Sequence, residues 1–245
     1  MILPRLRMFA GPNGSGKSTI KAKVAKINPK ILGVYINPDD IEREIVSTGF
    51  IDFGNFRVKT NERRVFDSLN TSTQLSERNL LPELSKLRFL KNTLSFEDVS
   101  LNSYFVSAIA DFLHENLVSS RTSFSFETVM SHTKKIELLG KARSSDFRNY
   151  LYFVATEDPE INISRVQIRV KEGGHDVPID KIVSRYYRSL GNLLDAIRFT
   201  DRAYVFDNSG AEAILVAEIT EGKKIEVATS SVPVWFQRYV LDKGT

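Results

Sequence analysis

The sequence predicts an α/β domain whose mostly parallel, five-stranded sheet carries helices on both faces. Apolar, strand-like segments alternate along the chain with segments of helical periodicity, and a glycine-rich loop joins the first strand to the first helix. Such alternation favours parallel pairing, because each strand returns to the same edge of the sheet through a helical crossover. The 245 residues suffice for one domain of this kind with an insertion.

Five short apolar segments that end in turn signals are predicted to be the strands. In chain order they are LRMFA (6–10), ILGVYIN (31–37), TSFSFETV (122–129), NYLYFVAT (149–156) and RAYVFDNSG (202–210). Helical spacing follows the first of them, where Ile20, Val24 and Ile27 lie on one face. Further helices are predicted at residues 101–113, 132–143, 161–174 and from Pro178 to Phe199.

Two parts of the chain depart from this alternation. Residues 49–100 contain the turn-like DFGN and helical pieces near 62–69 and 80–90, so we expect a helical insertion after the second strand. At the C-terminal end, AILVAEI and KKIEVAT are separated by TEGK and predict a β-hairpin. The expected organisation is one domain over residues 1–210 that contains the insertion, with the hairpin and tail of residues 211–245 packed on it.

Composition and charge exclude several classes of protein. Apolar residues make up 42% and charged residues 26% of the chain, as in ordinary globular proteins. A net charge of +4 suits anionic ligands but makes nucleic acid an improbable partner. The chain has no cysteine, which excludes disulfides and thiolate sites. No apolar run is long enough for a membrane span or a secretory signal, so we expect a cytoplasmic protein without a membrane partner.

The loop after the first strand carries the most specific motif in the chain. It satisfies G-x-x-x-x-G-K-[ST], the phosphate-binding loop or P-loop, so a P-loop NTPase fold is expected. Its glycines let backbone N–H groups point at phosphates, aided by the positive end of the following helix. We predict that Lys17 reaches the β- and γ-phosphates of ATP and that the Ser18 hydroxyl holds Mg²⁺. The predicted ATP-binding residues here are Gly11, Pro12, Asn13, Gly14, Ser15, Gly16, Lys17, Ser18 and Thr19.

Acidic side chains follow two of the predicted strands. Asp39 and Asp40 come after the second strand, and Glu127 closes the third. Ligands bind outside the carboxyl ends of parallel strands, so one aspartate could accept a proton from a substrate hydroxyl, and Glu127 could position Mg²⁺ or that hydroxyl. The alternative for each acid is the N-cap of the helix that follows.

Basic residues gather around the turn EGGHDVP. They are Arg165, Arg169, His175, Lys181, Arg185 and Arg188. Transfer of a γ-phosphoryl group spreads negative charge, which a mobile basic lid can neutralise. The two glycines beside His175 favour a segment that moves, whereas the stripe of Lys181, Arg185 and Arg188 would look the same on a solvated helix face.

Taken together, the motifs resemble the zeta toxin family of P-loop kinases, in particular the bacterial branch labelled as predicted ABC-type ATPases or kinases. The likeness rests on GPNGSGKST, INPDDI, FSFETVMSH, RVQIRVKEGGHDVPIDKIVSRYYRSLGNL and YVFDNSG, and covers residues 5–45 and 120–210. The family phosphorylates UDP-N-acetylglucosamine with ATP and Mg²⁺. The segment of residues 49–100 is longer than its family counterpart, so the identity of the acceptor is not carried over.

The resemblance implies a role for several residues. Asp39 falls at the catalytic base, and Glu127 falls at the glutamate that positions the substrate. Arg169 lies close to a lid arginine of the family, whereas His175 lies near the position where the toxins carry a second arginine. Asn208, within the DNS turn, is implied to line the adenine pocket. The predicted catalytic residues are Asp39, Glu127, Arg169, His175 and, from the basic stripe, Arg185.

We therefore expect a phosphotransferase that uses ATP and Mg²⁺ to phosphorylate a hydroxyl of a small molecule. The resemblance implies a nucleotide sugar as the acceptor class, and it leaves room for an antitoxin protein that no motif identifies. Two alternatives stay open. One is a nucleotide-binding switch with slow ATP hydrolysis, and the other is an inactive toxin-like protein that binds nucleotide and acts through a partner.

Overall fold

The computed structural model describes residues 3–174 and 176–243 of the chain. Within them the strands, numbered in chain order, are β1 (Arg5–Ala10), β2 (Val34–Ile36), β3 (Phe50–Asp52), β4 (Arg88–Leu90), β5 (Thr93–Ser95), β6 (Phe124–Thr128), β7 (Arg148–Ala155), β8 (Arg202–Asp207), β9 (Ile214–Thr220) and β10 (Lys224–Val227).

The α-helices of the same residues are α1 (Lys17–Ile27), α2 (Pro38–Thr48), α3 (Glu62–Asn70), α4 (Thr73–Glu77), α5 (Ser103–Ser119), α6 (Lys134–Ser144), α7 (Pro159–Lys171), α8 (Ile179–Gly191), α9 (Leu193–Ile197) and α10 (Val234–Phe236). Short 3₁₀ turns cover Pro29–Leu32, Phe53–Phe56 and Leu81–Lys86, and a π-helical turn covers Gln237–Leu241. Contacts divide the chain into two compact units, Met1–Leu32 with Ser125–Thr245, and Gly33–Phe124.

The first unit is built on a mixed sheet in which parallel pairs form the centre. Its strand order is β10-β9-β8-β7-β1-β6. β7 pairs in parallel with both β1 and β8, whereas β9 runs antiparallel to β8 and to β10. The α/β class with a mostly parallel sheet is confirmed, and the C-terminal hairpin predicted from AILVAEI and KKIEVAT is the pair β9–β10.

One face of this sheet packs into a core of the first unit. Leu6 and Met8 of β1 lie beside Leu151 and Phe153 of β7, and all four are 0% exposed. The side chain of Trp235 packs on the same face, with its ring centroid 6.1 Å from that of Phe153. The C-terminal segment, in which the sequence predicted no helix, therefore closes part of the core through α10 and the π-helical turn.

The second unit contains β2, α2 and the segment that the sequence predicted to be a helical insertion. Besides the helices α3 and α4, it contains a three-stranded antiparallel sheet in the order β3-β5-β4. The piece predicted to be helical near residues 80–90 is the 3₁₀ turn Leu81–Lys86 followed by β4. Each of these strands has three residues, which is too short to show the alternation that identifies a strand.

The long helix α5 crosses the second unit and is buried on most of its circumference. Asn102 caps it, because the Oδ1 atom accepts from the backbone N–H groups of Tyr104 and Phe105 at 3.0 and 3.2 Å. Phe105 and Leu113 are 0% exposed. Among the described residues, no helix is both long enough and apolar enough to cross a membrane.

We expect Leu151→Ala to lower the free energy of unfolding by about 2–5 kcal/mol, because truncating a fully buried side chain leaves a cavity in the core. Trp235 is the single tryptophan of the chain and is 3% exposed, so its fluorescence can follow urea unfolding. The control is Ile27→Ala, at a side chain that is 83% exposed, which should change stability by less than about 0.5 kcal/mol. Equal losses for the two variants would contradict the core assignment.

Candidate functional site

The glycines of the phosphate loop are required by close backbone approaches. Gly11, Gly14 and Gly16 have φ angles of 142°, 73° and 97°, which residues with a Cβ rarely adopt. A Cβ at position 11 would lie 2.0 Å from the Val154 carbonyl oxygen. The glycine at position 14, which the motif does not specify, is required because a Cβ there would lie 2.7 Å from the backbone oxygen of Asn162.

Helix α1 starts at the end of this loop, and its first turn can bind an anion. Its N-cap is Gly16, which supplies no side-chain acceptor to the first-turn N–H groups. Lys17 Nζ donates to the carbonyl oxygens of Gly11 and Pro12, at 2.8 Å each. The loop therefore offers backbone donors and an ammonium group in one place, which is the chemistry that a phosphate chain requires.

The structure brings together two side chains that the sequence predicted for Mg²⁺. Ser18 Oγ, in the first turn of α1, donates to Oε2 of Glu127, at 2.7 Å. Lys21 Nζ lies 4.0 Å from Oε1 of Glu127, whose side chain is 9% exposed. A hydroxyl and a carboxylate at the phosphate loop are the hard oxygen ligands that Mg²⁺ prefers beside phosphate oxygens. In the described part of the chain, no group of three or more His, Cys, Asp or Glu side chains could hold a metal ion by itself.

The backbone of the segment after Glu127 is held by hydrogen bonds to the phosphate loop and to Asn192. Thr128 O accepts from the Gly11 N–H at 3.2 Å, and Thr128 Oγ1 accepts from the Met130 N–H at 3.0 Å. Met130 has φ 54°, a left-handed conformation that is costly for a residue with a long side chain. Its carbonyl oxygen accepts from Asn192 Nδ2 at 3.0 Å, between α8 and α9. The strained segment is thus fixed to the phosphate loop.

A second line of hydrogen bonds runs from α8 through α7 to the phosphate loop. Tyr186 donates to Thr156 O at 2.6 Å, and the Thr156 hydroxyl donates to Oδ1 of Asn162. Asn162 Nδ2 then donates to Asn13 O. Burial, with the nearby carboxylate of Glu157, raises the pKa of Tyr186 above its usual value, so the phenol stays a neutral donor. Asn162 was not predicted from the sequence, since an asparagine in a helix carries no local sign of such a contact.

The turn that follows β8 also reaches the phosphate loop. Asn208 Nδ2 donates to Ser15 O at 2.8 Å, and Asn208 O accepts from Arg165 Nη1 at 2.7 Å. The carboxylate of Asp207 accepts from Trp235 Nε1 at 2.8 Å, which anchors the turn to the core. The predicted contact of Asn208 with adenine stays a prediction, while its observed partner is the loop itself. Arg165, placed in the basic cluster by the sequence, fastens this turn.

The remaining predicted residues lie on separate elements. Arg169 is half-buried in the last turn of α7, and its carbonyl oxygen accepts from the N–H of Gly174 at 2.9 Å. Arg185 is half-buried on α8. His175 lies outside the described residues. The role of these side chains in a lid stays a prediction.

The second compact unit contains the predicted base, Asp39. The N-cap of α2 is Asn37, whose Oδ1 atom accepts from the Asp39 N–H at 3.1 Å, so neither aspartate is the capping residue. Asp40 is paired with Arg43. The capping alternative is therefore wrong for Asp39 and Asp40, although first-turn carboxylates still interact favourably with the helix dipole.

Comparisons with known proteins place this geometry in a known fold. No protein-family model matches the chain. A segment of 69 residues is 29% identical to an uncharacterized protein of Haemophilus influenzae, and it covers 28% of this chain and 49% of that protein.

Solved structures match over most of the chain. The AvrRxo1-ORF1:AvrRxo1-ORF2 complex with ATP has a TM-score of 0.54 at 17% identity, covering 92% of this chain and 61% of that one. The same complex with sulphate ions has a TM-score of 0.53 at 16% identity, over 93% and 62% of the chains. The PezAT chromosomal toxin–antitoxin system of Streptococcus pneumoniae has a TM-score of 0.50 at 14% identity, over 98% and 80%.

The chain thus spans about three fifths of the length of the AvrRxo1 chains, and at these identities the likeness is one of fold. The resemblance to zeta-toxin-like P-loop kinases that the motifs predicted is confirmed at that level.

We expect Gly14→Ala to destabilise the protein by about 1–3 kcal/mol, because the new Cβ meets the backbone of Asn162 in a left-handed conformation. The control is Gly210→Ala, where an added Cβ has no heavy atom within 4 Å. Its stability should stay within about 0.5 kcal/mol of the wild-type value. Urea unfolding of both variants tests the difference, and a neutral Gly14→Ala would mean that the loop does not approach α7.

Proposed function

We propose that the protein is an ATP- and Mg²⁺-dependent kinase that transfers the γ-phosphoryl group to a hydroxyl of a small molecule. The observation that carries the proposal is the 2.7 Å hydrogen bond between Ser18 of the phosphate loop and Glu127 at the end of β6. A phosphate loop alone binds anions, whereas a serine joined to a buried acid supplies the ligands of a metal–nucleotide complex. The likeness to a complex solved with ATP supports ATP as the donor.

The donor side of the reaction depends on groups that the first unit holds in place. The N–H groups of the loop and of the first turn of α1 bind phosphate oxygens, and Lys17 exchanges its bonds to the Gly11 and Pro12 carbonyls for the β- and γ-phosphates. The N–H groups among them stabilise the transition state because the fold orients them before charge develops.

Ser18 and Glu127 are the residues that would hold Mg²⁺. The ion would supply positive charge beside the phosphates, which favours transfer of a phosphoryl group. Of the two roles predicted for Glu127, positioning of Mg²⁺ or of the substrate hydroxyl, the hydrogen bond between the two residues supports the first. Lys21 Nζ lies 4.0 Å from Oε1 of the same carboxylate and adds a positive charge beside it.

The acceptor side of the proposal rests on residue types and on the family resemblance. Asp39 is proposed as the base that takes the proton of the attacking hydroxyl. Arg169, Arg185 and His175 are proposed to neutralise charge during transfer. A nucleotide sugar is the proposed acceptor class, and the likeness to a toxin–antitoxin system supports an antitoxin protein as a partner.

An untargeted search for the acceptor tests the proposal as a whole. A small-metabolite extract is incubated with the protein, Mg²⁺ and ATP, and products are compared by mass spectrometry with those of Lys17→Ala. We expect a metabolite that gains one phosphate with the wild-type protein only. ATP bound tightly but never consumed would favour a nucleotide-dependent switch or an inactive relative, and would contradict the kinase.

Replacement of the proposed base gives a sharper test once an acceptor is known. We expect Asp39→Asn to lower kcat by about 10²–10⁴, the usual contribution of a general base. The matched control is Asp40→Asn, which removes the neighbouring carboxylate that pairs with Arg43 and should leave kcat within about threefold. A wild-type rate for Asp39→Asn, with nucleotide binding abolished in Lys17→Ala, would remove Asp39 from the mechanism.

A further inference from the structure

We infer that Asn162 and Asn208 are positioning residues that set the backbone of the phosphate loop for phosphate binding. The inference rests on the proposed function, because it concerns how the same loop recognises its ligand. The two asparagines come from different elements, α7 and the turn after β8, and each donates its side-chain amide to one loop carbonyl. We call this pair the amide clamp.

The effect of the amide clamp follows from the planarity of the peptide bond. In a trans peptide the C=O of one residue and the N–H of the next point in opposite directions. Asn162 holds the Asn13 carbonyl, so it orients the N–H of Gly14 away from α7. Asn208 holds the Ser15 carbonyl and in the same way orients the N–H of Gly16. The clamp therefore directs two donors away from the protein elements that hold the loop.

Each clamp residue is itself held in one orientation. Asn162 is 0% exposed, and the Thr156 hydroxyl donates to its Oδ1 atom, so the Nδ2 atom faces the loop. The backbone of Asn208 is anchored by Arg165, whose Nη1 atom donates to the Asn208 carbonyl oxygen at 2.7 Å, and its Nδ2 atom already donates to Ser15 O. Neither amide needs to reorient when a ligand arrives, which lowers the cost of ordering the loop.

The glycine pattern of the loop is explained by the same pair. An added Cβ at Gly14 would lie 2.7 Å from the backbone oxygen of Asn162, and one at Gly16 would lie 2.3 Å from Nδ2 of Asn208. Both glycines are thus contact points of the amide clamp. Asn208 consequently acts on phosphates through the loop, in contrast to the adenine contact that the family resemblance implies.

Two probes separate these roles, namely ADP and inorganic pyrophosphate, which has phosphates but no base. Their dissociation constants are measured by titration calorimetry at constant Mg²⁺ for the wild type, Asn162→Ala and Asn208→Ala. We expect each variant to weaken both ligands by the same factor, about 3- to 10-fold, the size of one hydrogen bond. The control is Asn149→Ala, which removes amide bonds to the carbonyls of Leu139 and Phe199 at the start of β7.

Thermal unfolding of the same proteins separates positioning from stability. Asn149→Ala should lower the unfolding midpoint while both dissociation constants stay at wild-type values. Asn208 is partly exposed, so its variant keeps the test decisive if Asn162→Ala does not fold. A wild-type protein that binds neither probe would overturn the proposed function and the amide clamp with it.

The other outcomes concern the clamp alone. If the wild type binds both probes and the variants bind pyrophosphate as tightly as the wild type, the clamp is wrong. If Asn208→Ala weakens ADP only, Asn208 contacts the base and the clamp is wrong for that residue.

Discussion

The phosphate loop depends on one constraint, namely that the N–H groups of Gly14 and Gly16 face away from the elements that hold the loop while the neighbouring carbonyl groups find donors within the protein. A buried carbonyl without a donor is costly, so each must find a partner that does not occupy the ligand side. The amide clamp meets this requirement for the carbonyls of Asn13 and Ser15, and the Pro12 carbonyl also accepts from the Ser15 N–H at 3.3 Å. Side-chain donors thus satisfy the carbonyls of Asn13 and Ser15, whereas in a helix or a sheet backbone N–H groups satisfy such carbonyls.

The strand order of the first unit makes these contacts available. β7 lies between β1 and β8, so the segments that leave the carboxyl ends of all three strands start near each other. Asn162 follows β7 and Asn208 follows β8, while the phosphate loop follows β1. Even the C-terminal segment contributes, because Trp235 donates to the buried carboxylate of Asp207, next to Asn208.

The carboxylate of Glu127, beside the phosphate loop, must also find donors within the protein, and it carries a charge as well. Glu127 is largely buried, and a buried carboxylate is stable only when donors and cations surround it. Ser18 and Lys21 of α1 supply them. Met130, three residues beyond, has a left-handed backbone conformation, and strain of this kind concentrates at functional sites.

The sequence by itself determined the strand–loop–helix unit, the acid at the end of β6, the parallel class of the sheet and the C-terminal hairpin. These features are local, since periodicity and turn residues within about ten positions express them. Only the tertiary structure decided what Asn162, Arg165 and Trp235 do. Asn162 contacts Asn13 across 149 positions and Trp235 contacts Asp207 across 28, and no local pattern specifies such a pair. The strands β3, β4 and β5 of the second unit were missed for a related reason, because their pairing partners, and not their own periodicity, make them strands.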